Sequence, residues 1–367
     1  MEQRVITDYA ELDRWLLGNQ TKKLMLVCGK SIARQRISRY FENLPERLGI
    51  SVVPFMDFEP NPRYESVVSG VDLFRKEHCD AIAAVGGGSS LDVAKCIKLY
   101  SNMEPGKNYL EQVIVPNSIP FFAMPTTAGT GSEATRFAVI YYQGVKQSVT
   151  DSSCIPAAVL LDGDALTTLP EYQKKSTMMD AFCHALESFW SVNSTEESKA
   201  YSKTAIRRIL DNKDGYLSNT EKGNREMLLA ANSAGKAINI TQTTAGHAMC
   251  YKITSLYGCA HGHAAILCDR VLFPWMIRHT EDCIDPRGEQ YLNNTLSEIA
   301  SAMGCETPEA AANKLCTLVS ELALPIPEAK PEDYAVLRSS VNPVRLKNHP
   351  VRLSEETIDE LYHVILR

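Results

Sequence analysis

The chain has 367 residues, a formal net charge of −6 and no block of Lys or Arg, which argues against nucleic acid or an anionic membrane surface as its main partner and leaves small molecules. Its N-terminal MEQRVITDYAELDRW carries charges where a signal peptide needs an apolar core, and no uninterrupted apolar run approaches about 18 residues, so a cytoplasmic protein without a membrane partner is expected. Eleven cysteines, an odd count with no C-x-x-C pair, read as reduced core residues rather than a disulfide framework or a zinc ribbon.

The length fits about two domains. Residues 1–165 alternate strand-like and helix-like segments: KLMLVC (23–28), SVVPF (51–55), AIAAV (81–85) and FFAM (121–124) are short apolar runs of the kind buried in a parallel sheet. Residues 31–47 and 63–78 mix charged and apolar positions at helical spacing, each preceded by Gly, Ser, Asn or Pro. This rhythm predicts an open α/β sheet whose ligands sit beyond the carboxyl ends of its strands. At one such end, AIAAVGGGSSLDVAK (81–95) runs a strand into Gly86, Gly87 and Gly88, with a helix starting at Ser89 or Ser90. The motif is neither G-x-G-x-x-G nor a P-loop, and a plain tight turn is the competing reading. The strand-to-helix context favours a phosphate, held by backbone N–H groups and the helix dipole.

The next strand end, FFAMPTTAGTGSEATRFAVIYY (121–142), crowds the hydroxyls of Thr126, Thr127, Thr130 and Ser132 into a Gly-containing loop. Turn preference alone accounts for Gly, Thr and Ser there, but four hydroxyls between apolar strands are better explained by a ligand with several acceptor oxygens. AVIYYQGVKQSVT then reads as a hairpin turning near Gln143 and Gly144.

Beyond Leu166 strand-like runs vanish, and helical patterns cover 176–191, 195–211 and 221–241. Asp180 and His184 are spaced i, i+4, which puts both side chains on one helix face, able to close on one ion. His247 and His261 follow. Four of the eight histidines fall at 184, 247, 261 and 263, among Ala, Leu, Ile and Cys, where an unpartnered polar group is costly. That favours a metal site over a capping or surface pair, and one carboxylate with three imidazoles suits iron(II) or zinc.

GGGSSLDVAK, PTTAGTGSEAT, DAFCHALE and the two later histidines, in this order, resemble the iron-containing (group III) alcohol dehydrogenase family over residues 20–280. SEATRFAVIYYQGVK, HAMCYKITSLYG and NPVRLKNHPV are similar to its phosphonoacetaldehyde reductase branch. The resemblance implies an α/β plus all-α protein of the dehydroquinate synthase-like fold. It has a Rossmann-like dinucleotide-binding domain (1–165), an all-helical metal and substrate domain (166–367), the active site in the cleft between them, and a homodimer or larger assembly. Carried over by position, it makes Asp180, His184, His247 and His261 the metal ligands. Gly86, Gly87, Gly88 and Ser89 hold the pyrophosphate, Thr126, Thr127, Thr130 and Ser132 line the cofactor cleft, and Lys146 lies near the ribose.

Where NAD-preferring members place an Asp after the first strand, this chain has Cys28-Gly29-Lys30-Ser31. The acid is gone and a positive charge and donors stand in its place, which predicts NADP(H) over NAD(H), although Asp57 after the next strand is the acid of a generic Rossmann reading. The implied reaction is reduction of an aldehyde, with a metal as Lewis acid and hydride from the nicotinamide. Many members carry a histidine four residues after the third ligand, but Tyr251 stands there. Tyr251, His263 or a bridging water are the candidates for the proton. Arg136, Lys252, Arg345, Lys347 and Arg352 suit a small anionic aldehyde: phosphonoacetaldehyde first, then sulfoacetaldehyde or succinic semialdehyde. A general primary-alcohol dehydrogenase, a dehydroquinate-synthase-like cyclisation and a non-catalytic metal and nucleotide module are the alternatives.

Overall fold

The computed structural model describes residues 3–366, without the side chains of Ser31 and Arg34. Its contacts divide the chain into two units, the first running up to Thr127 and taking in Gly131–Leu169, the second comprising Ala128–Thr130 and the chain from Pro170 onward. The boundary expected after residue 165 thus moves to Leu169, because the 3₁₀ turn Gly163–Leu166 still belongs to the α/β unit and the first long helix is entered through Pro170. Three residues of the Gly/Thr loop go with the helical unit. Gly129 lies so close to Thr177 that an added Cβ would sit 2.8 Å from the threonine's own Cβ.

The first unit holds a six-stranded parallel sheet in the order β1-β8-β5-β4-β2-β3. Its strands are β1 (Arg4–Ile6), β2 (Lys23–Cys28), β3 (Ser51–Phe55), β4 (Ala81–Gly86), β5 (Phe121–Pro125) and β8 (Ala158–Leu160). Every residue of β4 and β5 is buried, as continuous apolar runs require when helices cover both faces. Those helices are α1 (Tyr9–Gly18), α2 (Arg36–Glu42), α3 (Leu44–Leu48), α4 (Tyr64–Lys76) and α5 (Gly88–Tyr100). The single helix expected over 31–47 is three short pieces: a 3₁₀ turn at Lys30–Arg34, then α2 and α3. Gln35 is extended (φ −108°, ψ 149°), and Pro45 at the start of α3 has no N–H to continue the preceding helix. The predicted hairpin is β6 (Phe137–Tyr142) and β7 (Val145–Thr150), joined by Gln143 and Gly144 at φ 51° and 77°, the left-handed pair that a two-residue hairpin turn needs.

Chain order and spatial order diverge where β1 pairs with β8 and again around β2. β2 pairs with β3 on one edge, and the chain then returns to set β4 on the other edge of β2. The carboxyl ends of β2 and β4 flank this switch point, where an open α/β sheet leaves room for a ligand. Gly29-Lys30 follows the first and Gly86-Gly87-Gly88 the second.

The second unit is helical: α6 (Glu171–Trp190), α7 (Glu196–Leu217), α8 (Glu221–Thr241), α9 (Ala245–Tyr257), α10 (His261–Ile277), α11 (Glu289–Ala302), α12 (Pro308–Glu321), α13 (Pro331–Ser339), α14 (Pro343–Leu346) and α15 (Glu355–Ile365). Helix α6 is its axis. From Met178 to Trp190 every residue is buried, so this stretch of the helix presents no solvent face, and α7, α8 and α10 pack around α6. Burying Phe182, Phe189 and Trp190 stabilises the unit by about 2–3 kcal/mol each. Among the described residues, no helix is long and apolar enough to cross a membrane.

Candidate metal centre and nucleotide-binding turn

Asp180, His184 and Glu187 lie along one stripe of α6, spaced four and three residues apart, and all three are buried. Ligand atoms of Asp180, His247 and His261 lie within 4.8 Å of one another. Asp180 Oδ1 is 3.6 Å from His247 Nε2 and 3.9 Å from His261 Nε2, too far for hydrogen bonds and right for atoms converging on a common centre. Neither Asp180 Oδ1 nor His247 Nε2 has a hydrogen-bond partner. Buried polar atoms left this way are costly, and a divalent cation bound by all three would satisfy them, so the residues present fit a metal ion of the iron or zinc type. Burial pushes the Asp180 carboxyl up, but His184, His247 and His261 outweigh it and hold the group well below the usual carboxylate range. His184 stands beside this group rather than within it. Its ring stacks on that of His247, centroids 4.6 Å apart and nearly parallel, and its Nδ1 is buried and unpartnered.

The back of the centre is closed by a residue that the sequence reading quoted in DAFCHALE without giving it a role. Glu187 Oε1 bonds His247 Nδ1 and, at 3.1 Å, the His247 backbone N–H; Oε2 accepts from the Thr244 N–H and, at 2.8 Å, from its hydroxyl. Thr244 Oγ1 in turn accepts from Trp190 Nε1 at 2.9 Å. A carboxylate on the far nitrogen fixes the imidazole's tautomer and leaves Nε2 as the ligand atom. Burial depresses the His247 imidazole, but Glu187 and Asp180 overcome this and lift it to about 10. His261 has a weaker partner, the thiol of Cys250 at 3.7 Å from its Nδ1, and its side chain is 39% exposed against 2% for His247. The open side of the centre is therefore the His261 side. There the Tyr251 ring stacks on His261 at 5.6 Å, and Arg345 acts electrostatically on the Tyr251 hydroxyl. Arg345 Nη1 donates to Gln242 Oε1 at 2.5 Å.

Two glycines let these helices meet. A Cβ at Gly262 would come within 2.1 Å of the Ser176 carbonyl and 2.5 Å of Asp180 Cβ, so the residue after His261 has no room for a side chain. A Cβ at Gly246 would strike Asp269 Oδ1 at 2.0 Å and Glu187 Oε1 at 2.8 Å.

In the α/β unit, Gly86 ends β4 at φ +153°, and a Cβ there would meet Ser90 Oγ at 2.2 Å. Gly87 caps α5 with no side-chain hydrogen bond, so the first N–H groups of this 13-residue helix are available to an anion beyond the sheet. Gly87, Gly88 and Ser89 are half-buried, and Thr127 lies against Gly87. In the same unit, a cavity of about 160 Å³ is lined by residues that include Gln35, Arg36, Met124, Asp162, Thr167 and Thr168. Gln35 Oε1 is buried there without a partner. Of these six, only Met124, at the end of the FFAM strand, lies in a stretch quoted for the sheet.

One family model, for the iron-containing alcohol dehydrogenases, matches residues 7–163, and a second, for the C-terminal part of the Fe-containing alcohol dehydrogenase family, matches residues 174–366. The chain belongs to the iron-containing alcohol dehydrogenase family. As a member it is an oxidoreductase acting on an alcohol–aldehyde pair. The phosphonoacetaldehyde reductase of Streptomyces viridochromogenes is 30% identical over 312 residues, covering 81% of this chain and 79% of that one. The 1,3-propanediol dehydrogenase of Citrobacter freundii is 33% identical over 273 residues, 72% and 69% of the two chains. In fold, the chain is similar to the sulfoacetaldehyde reductase of Bifidobacterium kashiwanohense, solved in complex with NAD+, with a TM-score of 0.87 and 24% identity over 100% and 97% of the two chains.

In this dehydrogenase the remaining candidates divide. Ser132 is buried, and its hydroxyl donates to Asp92 Oδ1 at 2.8 Å and accepts from Lys95 Nζ at 3.0 Å. Lys95, wholly buried, also donates to the carbonyls of Ser132, Thr135 and Phe137 at 2.6, 2.9 and 2.7 Å. The Ser132 hydroxyl thus ties the loop to α5, a task that cofactor lining had not foreseen. Thr126 is buried with its N–H on the Gly86 carbonyl, and Thr130 clusters with the helical unit. Gly29 caps the 3₁₀ turn after β2, Lys30 and Asp57 are exposed, and the Ser31 side chain lies outside the described residues. Lys146 is an exposed residue of β7, and its charge acts on Asp92. Arg136 is half-buried over the Phe137 ring, and Lys252 is half-buried beside Tyr251. Of the tail cations, expected to act together, Arg345 is half-buried and held by Gln242, whereas Lys347 and Arg352 are exposed. His263 is buried against Tyr172.

Proposed function

We propose that this dehydrogenase reduces a small anionic aldehyde, phosphonoacetaldehyde before sulfoacetaldehyde or succinic semialdehyde, with NADPH, at a divalent ion held by Asp180, His247, His261 and, beside them, His184. The observation that carries the substrate reading is Arg345. A guanidinium half-buried in the helical unit, anchored by Gln242 and acting on Tyr251, which stacks on the exposed ligand His261, is placed to receive a phosphonate, sulfonate or carboxylate. The relative named phosphonoacetaldehyde reductase supports the choice among the three. Lys30 after β2, where an acid would repel a 2′-phosphate, supports NADP(H).

The bound ion supplies a Lewis acid for the carbonyl oxygen, and the nicotinamide supplies the hydride. The chain's own residues do the rest. Glu187 keeps His247 in a single tautomer with Nε2 facing Asp180. His261 leaves the one exposed approach, so the aldehyde enters past Tyr251 and Arg345. Tyr251 Oη keeps its proton, because burial raises it far above its ordinary value, and it is a hydrogen-bond donor at the open side of the centre. Gly87 and the uncapped start of α5 take the pyrophosphate of the cofactor.

The test is oxidation of NADPH and of NADH by protein loaded anaerobically with iron(II), and separately with zinc. The aldehydes are phosphonoacetaldehyde, sulfoacetaldehyde, succinic semialdehyde and an uncharged aldehyde of similar length. The highest kcat/KM for phosphonoacetaldehyde with NADPH is the expected result. Preference for the uncharged aldehyde would overturn the anion reading and leave a general primary-alcohol dehydrogenase.

A further inference from the structure

We propose that Tyr172 and His263 form a latch that sets the position of His261, which makes both of them positioning residues and takes His263 out of the proton pathway. Tyr172 lies in the first turn of α6, the helix that carries Asp180. Its hydroxyl accepts the backbone N–H of Ala260 at 2.9 Å, and Ala260 is the cap of α10, next to His261. The same hydroxyl is 3.0 Å from His263 Nδ1, and the two rings meet edge to face at 5.8 Å.

The direction of the second bond follows from the tyrosine. Its oxygen accepts the Ala260 amide, its one hydrogen is then free, and His263 Nδ1 accepts it. The order of the chain is Ala260 N–H to Tyr172 to His263.

The latch acts where the helices leave least slack. Because Gly262 presses against the Ser176 carbonyl and Asp180, the first turn of α10 is seated on α6, and Tyr172 bonds residues on both sides of His261 from that same helix. The 3.9 Å from His261 Nε2 to Asp180 Oδ1 is the distance that this seating sets. His247 owes its orientation to the Glu187 carboxylate on its Nδ1, whereas His261 Nδ1 faces the thiol of Cys250 at 3.7 Å. Tyr172 adds a hold on the backbone that carries His261.

This inference rests on the metal reading above. The experiment is affinity for cobalt(II) and zinc(II), by competition with a chromogenic chelator, for full-length protein stripped of metal: wild type, Tyr172→Phe, His263→Leu and His263→Asn. Asparagine places an acceptor oxygen where Nδ1 stands. Tyr172→Phe and His263→Leu are expected to bind metal about ten- to hundredfold more weakly, with NADPH affinity unchanged. His263→Asn should stay within a few-fold of wild type, and kcat of all three variants should recover at saturating metal. Wild-type metal affinity in Tyr172→Phe and His263→Leu would overturn the latch. A kcat that stays low in His263→Asn at saturating metal would return His263 to the proton pathway and overturn it equally. A wild-type protein that binds neither ion would overturn the metal assignment itself, and the latch with it.

Discussion

The loop at 131–137 and the ligand cluster at Asp180 are both largely buried, polar and built from motif residues, yet they end differently. In the α/β unit, Asp92, Lys95 and Ser132 close on one another. Lys95 alone reaches three carbonyls and two hydroxyls, and Asp92 accepts from Ser132 and, at 3.1 Å, from the Val139 N–H. In the helical unit, Asp180 Oδ1 and His247 Nε2 stop 3.6 Å apart with no partner, although Glu187 satisfies the far side of His247. A polar set that completes itself is scaffold. One that is braced from behind and left open in front is shaped for a ligand.

Emptying the open set should have the largest consequence. Asp180→Ala removes the one carboxylate of the metal site, and kcat/KM for aldehyde reduction is expected to fall on the order of a thousandfold, several kcal/mol of lost stabilisation. Urea unfolding should meanwhile lose much less than this, since the Oδ1 removed has no hydrogen-bond partner. Breaking the closed set should do the reverse. Lys95→Met strands buried acceptors and the Asp92 carboxylate, so urea unfolding should show the α/β unit about 3 kcal/mol less stable, with metal affinity intact. A Lys95→Met protein of normal stability would erase the contrast between the two regions.

Smaller effects sharpen it. Glu187→Gln keeps the size of the brace but removes its charge, and chelator competition should show metal bound ten- to about a hundredfold less tightly. Arg345→Ala touches neither set and should raise KM for an anionic aldehyde by roughly tenfold, the worth of one charge-assisted contact, while KM for an uncharged aldehyde stays the same. Equal changes for both aldehydes would remove Arg345 from substrate recognition.

The same contrast explains what could be read from the chain. β2, β4 and β5 were legible because burial on both faces makes them continuous apolar runs, and the edge strand β3 was legible from its short apolar run alone, whereas β1 and β8, three residues each, are too short to show a pattern. The helical periodicity over 31–47 was real but blind to Gln35, whose extended backbone splits the segment. Asp180, His247 and His261 announced themselves as polar residues in apolar surroundings. Glu187 follows the same helical face as Asp180 and His184, but a glutamate one turn from the end of a helix looks like an ordinary surface charge until burial is known. Asp92 and Lys95 hid for the same reason: a carboxylate and an ammonium at i, i+3 resemble an exposed helix pair. Arg345, Lys347 and Arg352 lie close in sequence but differ in burial, because α14 ends at Leu346, between the first and the other two.

The most direct test is calorimetric titration of iron(II), under anaerobic conditions, into metal-stripped wild-type protein and into Asp180→Ala. One ion per chain in the wild type and none in the variant is the predicted result. No binding by the wild type, or the same stoichiometry and affinity in Asp180→Ala, would contradict the assignment of this cluster as the metal centre.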